Sequence, residues 1–401
     1  MRPPQTLLIA AFLALLALPG LQMRFRFVPE VALGGVRVEP KKPPLTLSGW
    51  WQGEFQSQAE DWFNDHVGFR GHAVRTDNQI GLSLFREASS NAVDHVILGK
   101  RMMLYTDIYV TTYDGVDPFL DGDLRAATGH LRRLQDALAR RGTAFVFLIS
   151  PNKAVIYPEY LPEGFVRPVG QRPKTAYERM LPMLRSEGVH VVDGHAILLE
   201  EKARSPYPLF PPGGVHWNRH AAAVVLRQAW QHLGQQLGRP LVDLRTRAIV
   251  EDDTPSQKDQ EADAVGLLNA WQVSHADWRF PRPDLFVEDG GDAFRPKLVV
   301  VGDSFWRVPA SIIENLGMVA PRSGFLYYFN QAGGPEGPEE QDADDIIQGV
   351  SWADVLTADA IIIETNESGI GHAGWGFIEA ALKRLRRAES RPAPPPDRAR
   401  P

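Results

Sequence analysis

The chain has 401 residues, 44% of them hydrophobic, enough for one large domain or two modest ones. A formal net charge of −6, with no long basic run, argues against the clustered cationic face that nucleic acid requires. There is no cysteine, which excludes disulfides, thiolate metal sites and a cysteine nucleophile.

Near the N-terminus, Arg2 precedes an apolar run of about 17 residues, LLIAAFLALLALPGLQM, short for a membrane span and slightly long for a signal-peptide core. Pro19 and Gly20 stand where a small-residue cleavage site would fall. Residues 1–27 therefore read as a signal anchor, with a signal peptide as the alternative. A soluble core helix fits less well, because the run has no polar face. Arg24 and Arg26 on its far side leave orientation open. Residues 28–46, rich in Pro and Gly, read as an extended linker. The folded domain is expected over 47–388, and the Pro-rich end, 389–401, as a disordered tail.

Within 50–85, aromatic and aliphatic residues at helical spacing predict two helices interrupted at Gly68. Trp50, Trp51 and Trp62 share that spacing and read as core or packing residues rather than a carbohydrate platform. Residues 92–107 read as strands turning near Gly99-Lys100. From about 120, helix and strand alternate. A helix ends at Gly142; TAFVFLIS (143–150) is the first buried strand. A helix over 174–187 precedes a second strand, VHVVD (189–193). A long helix fills 219–238. The polar stretch 252–263 reads as a mobile excursion. KLVVVGDS (297–304) is the third strand, followed by a helix. GFLYYF (324–329) and ADAIIIETNE (358–367) are the fourth and fifth, and a last helix covers 372–387.

Short apolar strands separated by helices predict a three-layer α/β/α fold around a parallel, flavodoxin-like sheet. Ligands bind such sheets beyond the carboxyl ends of the strands. The residues expected at that rim are Ser150-Pro151-Asn152-Lys153, Asp193-Gly194-His195, Asp303-Ser304 and Thr365-Asn366-Glu367.

VVVGDSF (299–305) is the sharpest signal. A serine at a helix start sits beside unpaired amides and the positive end of the helix dipole, which favour an oxyanion. Ser304 is thus a candidate nucleophile; a plain N-cap is the bland reading, and the tripeptide alone favours it. The preceding buried strand and the polar rim tip the balance to catalysis. A serine needs a base, and neutral imidazole suits pH 7. His216 in GGVHWN (213–218) is that candidate, in a turn before the long helix with Asn218 as its cap. Packing beside Trp217 is its structural alternative. The Asn366 amide is a candidate oxyanion donor beside the Ser304 amide, or a residue closing a turn.

Together, His216-Trp217, Gly302-Asp303-Ser304, Gly333 or Gly334 after the next strand, and Asn366 after the one beyond resemble an SGNH-hydrolase domain. The order is that of the permuted alginate O-acetyltransferase AlgJ/AlgX-like family. WFNDHVGFR, VILGK and PNKAVIYPEYLP also resemble it, so the likeness spans roughly 45–385. The resemblance implies a periplasmic enzyme, often anchored in the inner membrane. It would receive acetyl from a membrane-bound O-acyltransferase and place it on an exported polysaccharide. Ser304 would carry the acetyl group and His216 would take its proton, then activate the sugar hydroxyl. Asn366, Asp303 and Gly333 would support the oxyanion; Trp217, Asn152 and Lys153 would line the substrate pocket. No cofactor and no metal are expected. The acidic stretch Glu339, Glu340, Asp342, Asp344, Asp345 reads as a solvated loop face rather than a cation site.

One position departs from the family pattern. Gly214 stands where the family has the aspartate that orients the histidine. Three readings follow: a Ser-His dyad; a substitute acid, for which Asp193 is the candidate; or a non-catalytic relative that binds polysaccharide or scaffolds an acetylation complex. A glycine pair also permits backbone angles closed to aspartate. An acetyl esterase would use the same Ser304 and His216.

Overall fold

The protein is described here from a computed structural model covering residues 3–35, 40–88, 95–274, 277–291, 293–329, 346–347 and 349–390. Gly333, Gly334, the acidic stretch 339–345 and residues 391–401 of the tail lie outside them.

In chain order, the first helices are α1 (Pro3–Phe25), α2 (Leu47–Gln52), α3 (Glu54–His66) and α4 (Arg70–Ile80). Then come β1 (Val96–Leu98), β2 (Leu104–Thr106), α5 (Asp107–Tyr113), α6 (Asp121–Ala139), β3 (Ala144–Ser150), α7 (Lys153–Ile156) and α8 (Ala176–Ser186). Next are β4 (Val191–Asp193), α9 (Gly194–Arg204), α10 (Arg219–Leu237), β5 (Asp243–Asp252), α11 (Asp263–Leu267) and β6 (Phe280–Glu288). The chain continues through β7 (Leu298–Gly302), α12 (Arg307–Asn315), β8 (Gly324–Tyr327), β9 (Ile346–Ile347) and β10 (Val350–Ser351). It closes with α13 (Trp352–Leu356), β11 (Ala360–Asn366) and α14 (Phe377–Ser390).

The described residues fall into two units, one comprising residues up to 98 with 263–274, the other the remainder. In the first unit, α1 carries the helix, Gln5–Phe25, that is long and apolar enough to cross a membrane. Gly53 at φ +83 separates α2 from α3, a left-handed break that glycine adopts without strain. Trp50 and Trp51 are 54% and 90% exposed, which overturns their reading as core residues. Helical spacing there predicts the helix but does not supply a partner for its apolar face.

The second unit holds a parallel five-stranded sheet in the order β4-β3-β11-β7-β8. Its central strands are continuously apolar because both faces are covered. Alternation then sends successive side chains to opposite cores. Val146 and Leu148 of β3, with Ile362 of β11, join α10 and α12 on one side. Phe145, Phe147, Ile149 and Ile363 join α6, α8 and α14 on the other. This is the three-layer α/β/α arrangement that the sequence predicts.

The sequence did not reveal β5 and β6, which form an antiparallel ribbon. Most β5 side chains are partly or fully exposed, and Pro281 and Pro283 lie in β6, so the apolar alternation that marks a strand is weak. Residues 252–263 are not a free excursion either. The fully buried Glu261 carboxylate accepts from the Ser256 amide and from Arg282 of β6, both at 2.7 Å. The buried charge of Glu261 is paired internally, so polarity at that position does not mean solvation.

Candidate active site

The carboxyl ends of β3, β11 and β7 bring the chemistry together, all within the second unit. After β7, Asp303 opens a 3-10 turn, Ser304–Trp306, that runs into α12. Asp303, not Ser304, caps this turn: its Oδ1 accepts from the Phe305 amide at 2.9 Å. The Ser304 hydroxyl is therefore left for another partner. It meets His216 Nε2 at 2.7 Å. His216 is 7% exposed, while Ser304 is only half-buried and can be reached.

Several groups fix the loop that carries His216. Asn218 caps α10 by accepting from the Ala221 amide, and its own amide group donates to the Pro208 carbonyl at 2.6 Å. Lys153 is buried and donates from Nζ to the Leu104 and Pro212 carbonyls at 2.9 and 3.0 Å. The ammonium thus holds the histidine loop from below. Trp217 is fully buried; its indole donates to the Phe305 carbonyl at 2.9 Å, and its ring meets Phe305 edge to face. The His216 ring also packs on Phe305, with centroids 4.8 Å apart. Phe305 is therefore the hub between the histidine loop and the serine turn.

Gly214 has a different cause from the one expected. Its φ is not in the left-handed region, so no special backbone angle requires glycine. Space does: a Cβ there would lie 2.6 Å from Pro211 Cγ and 2.9 Å from the Gln260 carbonyl. The stretch read as a mobile excursion occupies the place where a side chain at 214 would begin.

Asn366 ends β11, the central strand, and is buried. Its amide group donates to the Ser150 carbonyl at 3.1 Å, and its Oδ1 accepts from the amide and hydroxyl of Ser368. Its backbone amide donates to Asp303 Oδ2 at 2.6 Å. Two residues earlier stands Glu364, also buried, accepting from the Ser150 hydroxyl at 2.5 Å and the Asp303 amide at 3.0 Å. Glu364 is a site residue that sequence reasoning missed. Its signal was a lone acid in an otherwise apolar strand, AIIIETN. Tyr328, just after β8, was also missed. Burial, reinforced by the charge of Asp303, pushes its hydroxyl well above the usual tyrosine range.

A second polar group lies at the ends of β3 and β4. His195 Nδ1 meets Glu367 Oε2 at 3.1 Å, and its ring stacks on Tyr177 with centroids 4.2 Å apart. Burial pushes the His195 pKa down, but the charge and hydrogen bond of Glu367 outweigh it, and the net shift is upward. Asn152 is buried beside this pair; its backbone amide donates to Glu367 and its Oδ1 accepts from Val155. Asp193 caps α9 and accepts from the Tyr177 hydroxyl and from Arg185. None of its bonds reaches His216.

The second unit thus brings a serine hydroxyl and an imidazole into hydrogen-bond contact at the carboxyl edge of a parallel sheet. Among solved structures, the chain is similar to the O-acetyltransferase domain of Pseudomonas putida AlgJ. That match has 16% identity and a TM-score of 0.44, covering 73% of this chain and 99% of that one. It is also similar to Pseudomonas aeruginosa AlgX, with 15% identity, a TM-score of 0.42, and 71% and 67% coverage. Bacillus cereus PatB1 follows, at 10% identity and a TM-score of 0.39, covering 69% and 97%. No curated protein matches the chain. The family model for the SGNH hydrolase-like domain of acetyltransferase AlgX matches residues 96–311, a span that contains both His216 and Ser304. That is more than half of the chain, which therefore belongs to the AlgX-type, SGNH hydrolase-like acetyltransferase family.

Proposed function

We propose that the protein is an O-acetyltransferase that modifies an exported polysaccharide through an acetyl-serine on Ser304. The observation that carries this reading is the 2.7 Å contact between Ser304 Oγ and His216 Nε2. In the first half-reaction Nε2 takes the hydroxyl proton as Oγ attacks the donor's acetyl carbonyl. The tetrahedral oxyanion is met by the Ser304 amide and by the amide group of Asn366, whose second hydrogen is not used by Ser150. Collapse releases the donor's leaving group with the proton from His216. In the second half-reaction His216 takes the proton of a sugar hydroxyl as it attacks the acetyl-serine; collapse breaks the bond to Ser304 Oγ, which regains the proton from His216, and releases the sugar ester.

Trp217 and Lys153 act here as positioning residues, because both are buried and bonded inside the protein. Asp193 takes no part, since its carboxylate is committed to Tyr177, Arg185 and the start of α9. The acetyl donor relay would be a membrane-bound O-acyltransferase. The apolar helix α1 fits anchoring at the inner membrane with the remainder in the periplasm.

The test separates transfer from hydrolysis. The protein is given an activated acetyl ester with and without an exported polysaccharide, and ester on the polymer and free acetate are both measured. A transferase puts ester on the polymer in proportion to polymer added. Acetate alone would mark an acetyl esterase, and neither product would mark a binding or scaffolding relative.

A further inference from the structure

Asp303 and Glu364 are both buried behind the serine, and the Glu364 carboxyl reaches the Asp303 backbone, accepting from its amide at 3.0 Å. Among the described residues, no lysine or arginine pairs with either. Two anions side by side in a dry interior, without a cation, are strongly unfavourable. One shared proton resolves this, as in other buried carboxyl pairs.

We propose that Glu364 is the neutral member of a carboxyl–carboxylate pair with Asp303, and that the pair positions the nucleophile turn and holds a single negative charge beside His216. The hydrogen bonds decide which partner keeps the charge. Asp303 accepts two backbone amides, from Phe305 at 2.9 Å and Asn366 at 2.6 Å, and it also feels the charge of His216. Glu364 accepts one amide, from Asp303, and one hydroxyl, from Ser150. Amides aimed at Asp303 favour its anion. Burial pushes both groups up, and Glu364, facing the Asp303 charge, goes well above the carboxylate range.

The glycine of the Gly302-Asp303-Ser304 motif gains a reason from this pair. A Cβ at 302 would lie 2.6 Å from Glu364 Oε2. The motif glycine makes room for the carboxyl of the neighbouring strand. Asn366, Asp303 and Ser304 are then fixed to one another through a buried acid that never touches substrate.

This rests on the serine–histidine reading, because the charge on Asp303 matters where His216 becomes an imidazolium. The proton stays on Glu364 throughout. Among the described residues, Tyr328 also faces the pair and is held neutral by burial.

The test is read without any acetyl donor, so it fails or succeeds independently of the acetyltransferase activity. Infrared spectra of the full chain at neutral pH should contain the carbonyl stretch of a buried, protonated carboxylic acid. It should vanish in Glu364→Gln and persist in Ser304→Ala. The second readout is the position of that band: Asp303→Asn replaces the charged partner, so the Glu364 acid band should move while remaining present. If Glu364→Gln does not fold, Ser150→Ala, which deletes one hydrogen bond to Glu364, should shift the acid band without removing it. An acid band that is absent, that survives Glu364→Gln, or that is unmoved in Ser150→Ala overturns the proposal. So does an acid band that is unmoved in Asp303→Asn.

Discussion

At the scale of single residues, Gly214 is the position on which the chemistry turns. A family aspartate cannot simply be restored there, because Pro211 and the Gln260 carbonyl already occupy the space of its first side-chain atom. Gly214→Asp should therefore destabilise the protein, by about 1–3 kcal/mol as for other overpacked sites. Denaturant unfolding checks this, and a variant as stable as wild type would mean that the loop yields freely. The sequence makes Ser304 and His216 legible because a short motif and the expected rim agree on them. It conceals the close approach at 214, because beside the local Pro211 the crowding backbone of Gln260 and Glu261 comes from a polar segment far along the chain. It conceals Glu364 for a related reason: a single acid in a strand belongs to no motif, and its meaning appears only when Asp303 is beside it.

At the scale of elements, the strands that matter are read well. β3, β7 and β11 are buried on both faces and therefore apolar along most of their length, polar only toward their carboxyl ends. The failures lie where burial is partial. The β5–β6 ribbon is half exposed, and α9 follows β4 so directly that one residue, Asp193, ends the strand and caps the helix. Helix α10 deserves a test of its own, since it starts three residues after His216. Asn218→Ala removes the bond to Ala221 and should cost about 1 kcal/mol. Because the same side chain also ties the loop to Pro208, acylation should slow more than the stability loss accounts for. Parallel measurement of unfolding and of the acylation rate in this variant distinguishes the two effects. Slowing in simple proportion to the unfolded fraction would remove Asn218 from the positioning of His216.

At the scale of the whole molecule, the His195–Glu367 pair links the ends of β4 and β11 and makes stability depend on pH. The folded His195 pKa lies above its unfolded 6.5, so its stabilisation is fully present below pH 6.5. It is lost as pH rises through the folded value. The Tm difference between wild type and His195→Asn should therefore be largest below pH 6.5 and should shrink on the alkaline side. A difference that is flat across this range would mean that the pair does not titrate as its geometry implies.

The central claim is that Ser304, activated by His216, accepts an acetyl group even with glycine at 214. The most direct measurement is mass spectrometry of the full-length chain after exposure to an activated acetyl ester such as p-nitrophenyl acetate. Acetyl should appear on Ser304 and be absent in Ser304→Ala. In His216→Ala it should form on the order of 100- to 10,000-fold more slowly, the usual contribution of a positioned base. Folded wild-type protein that acquires no acetyl on Ser304, or that acquires it equally fast without His216, would contradict the account.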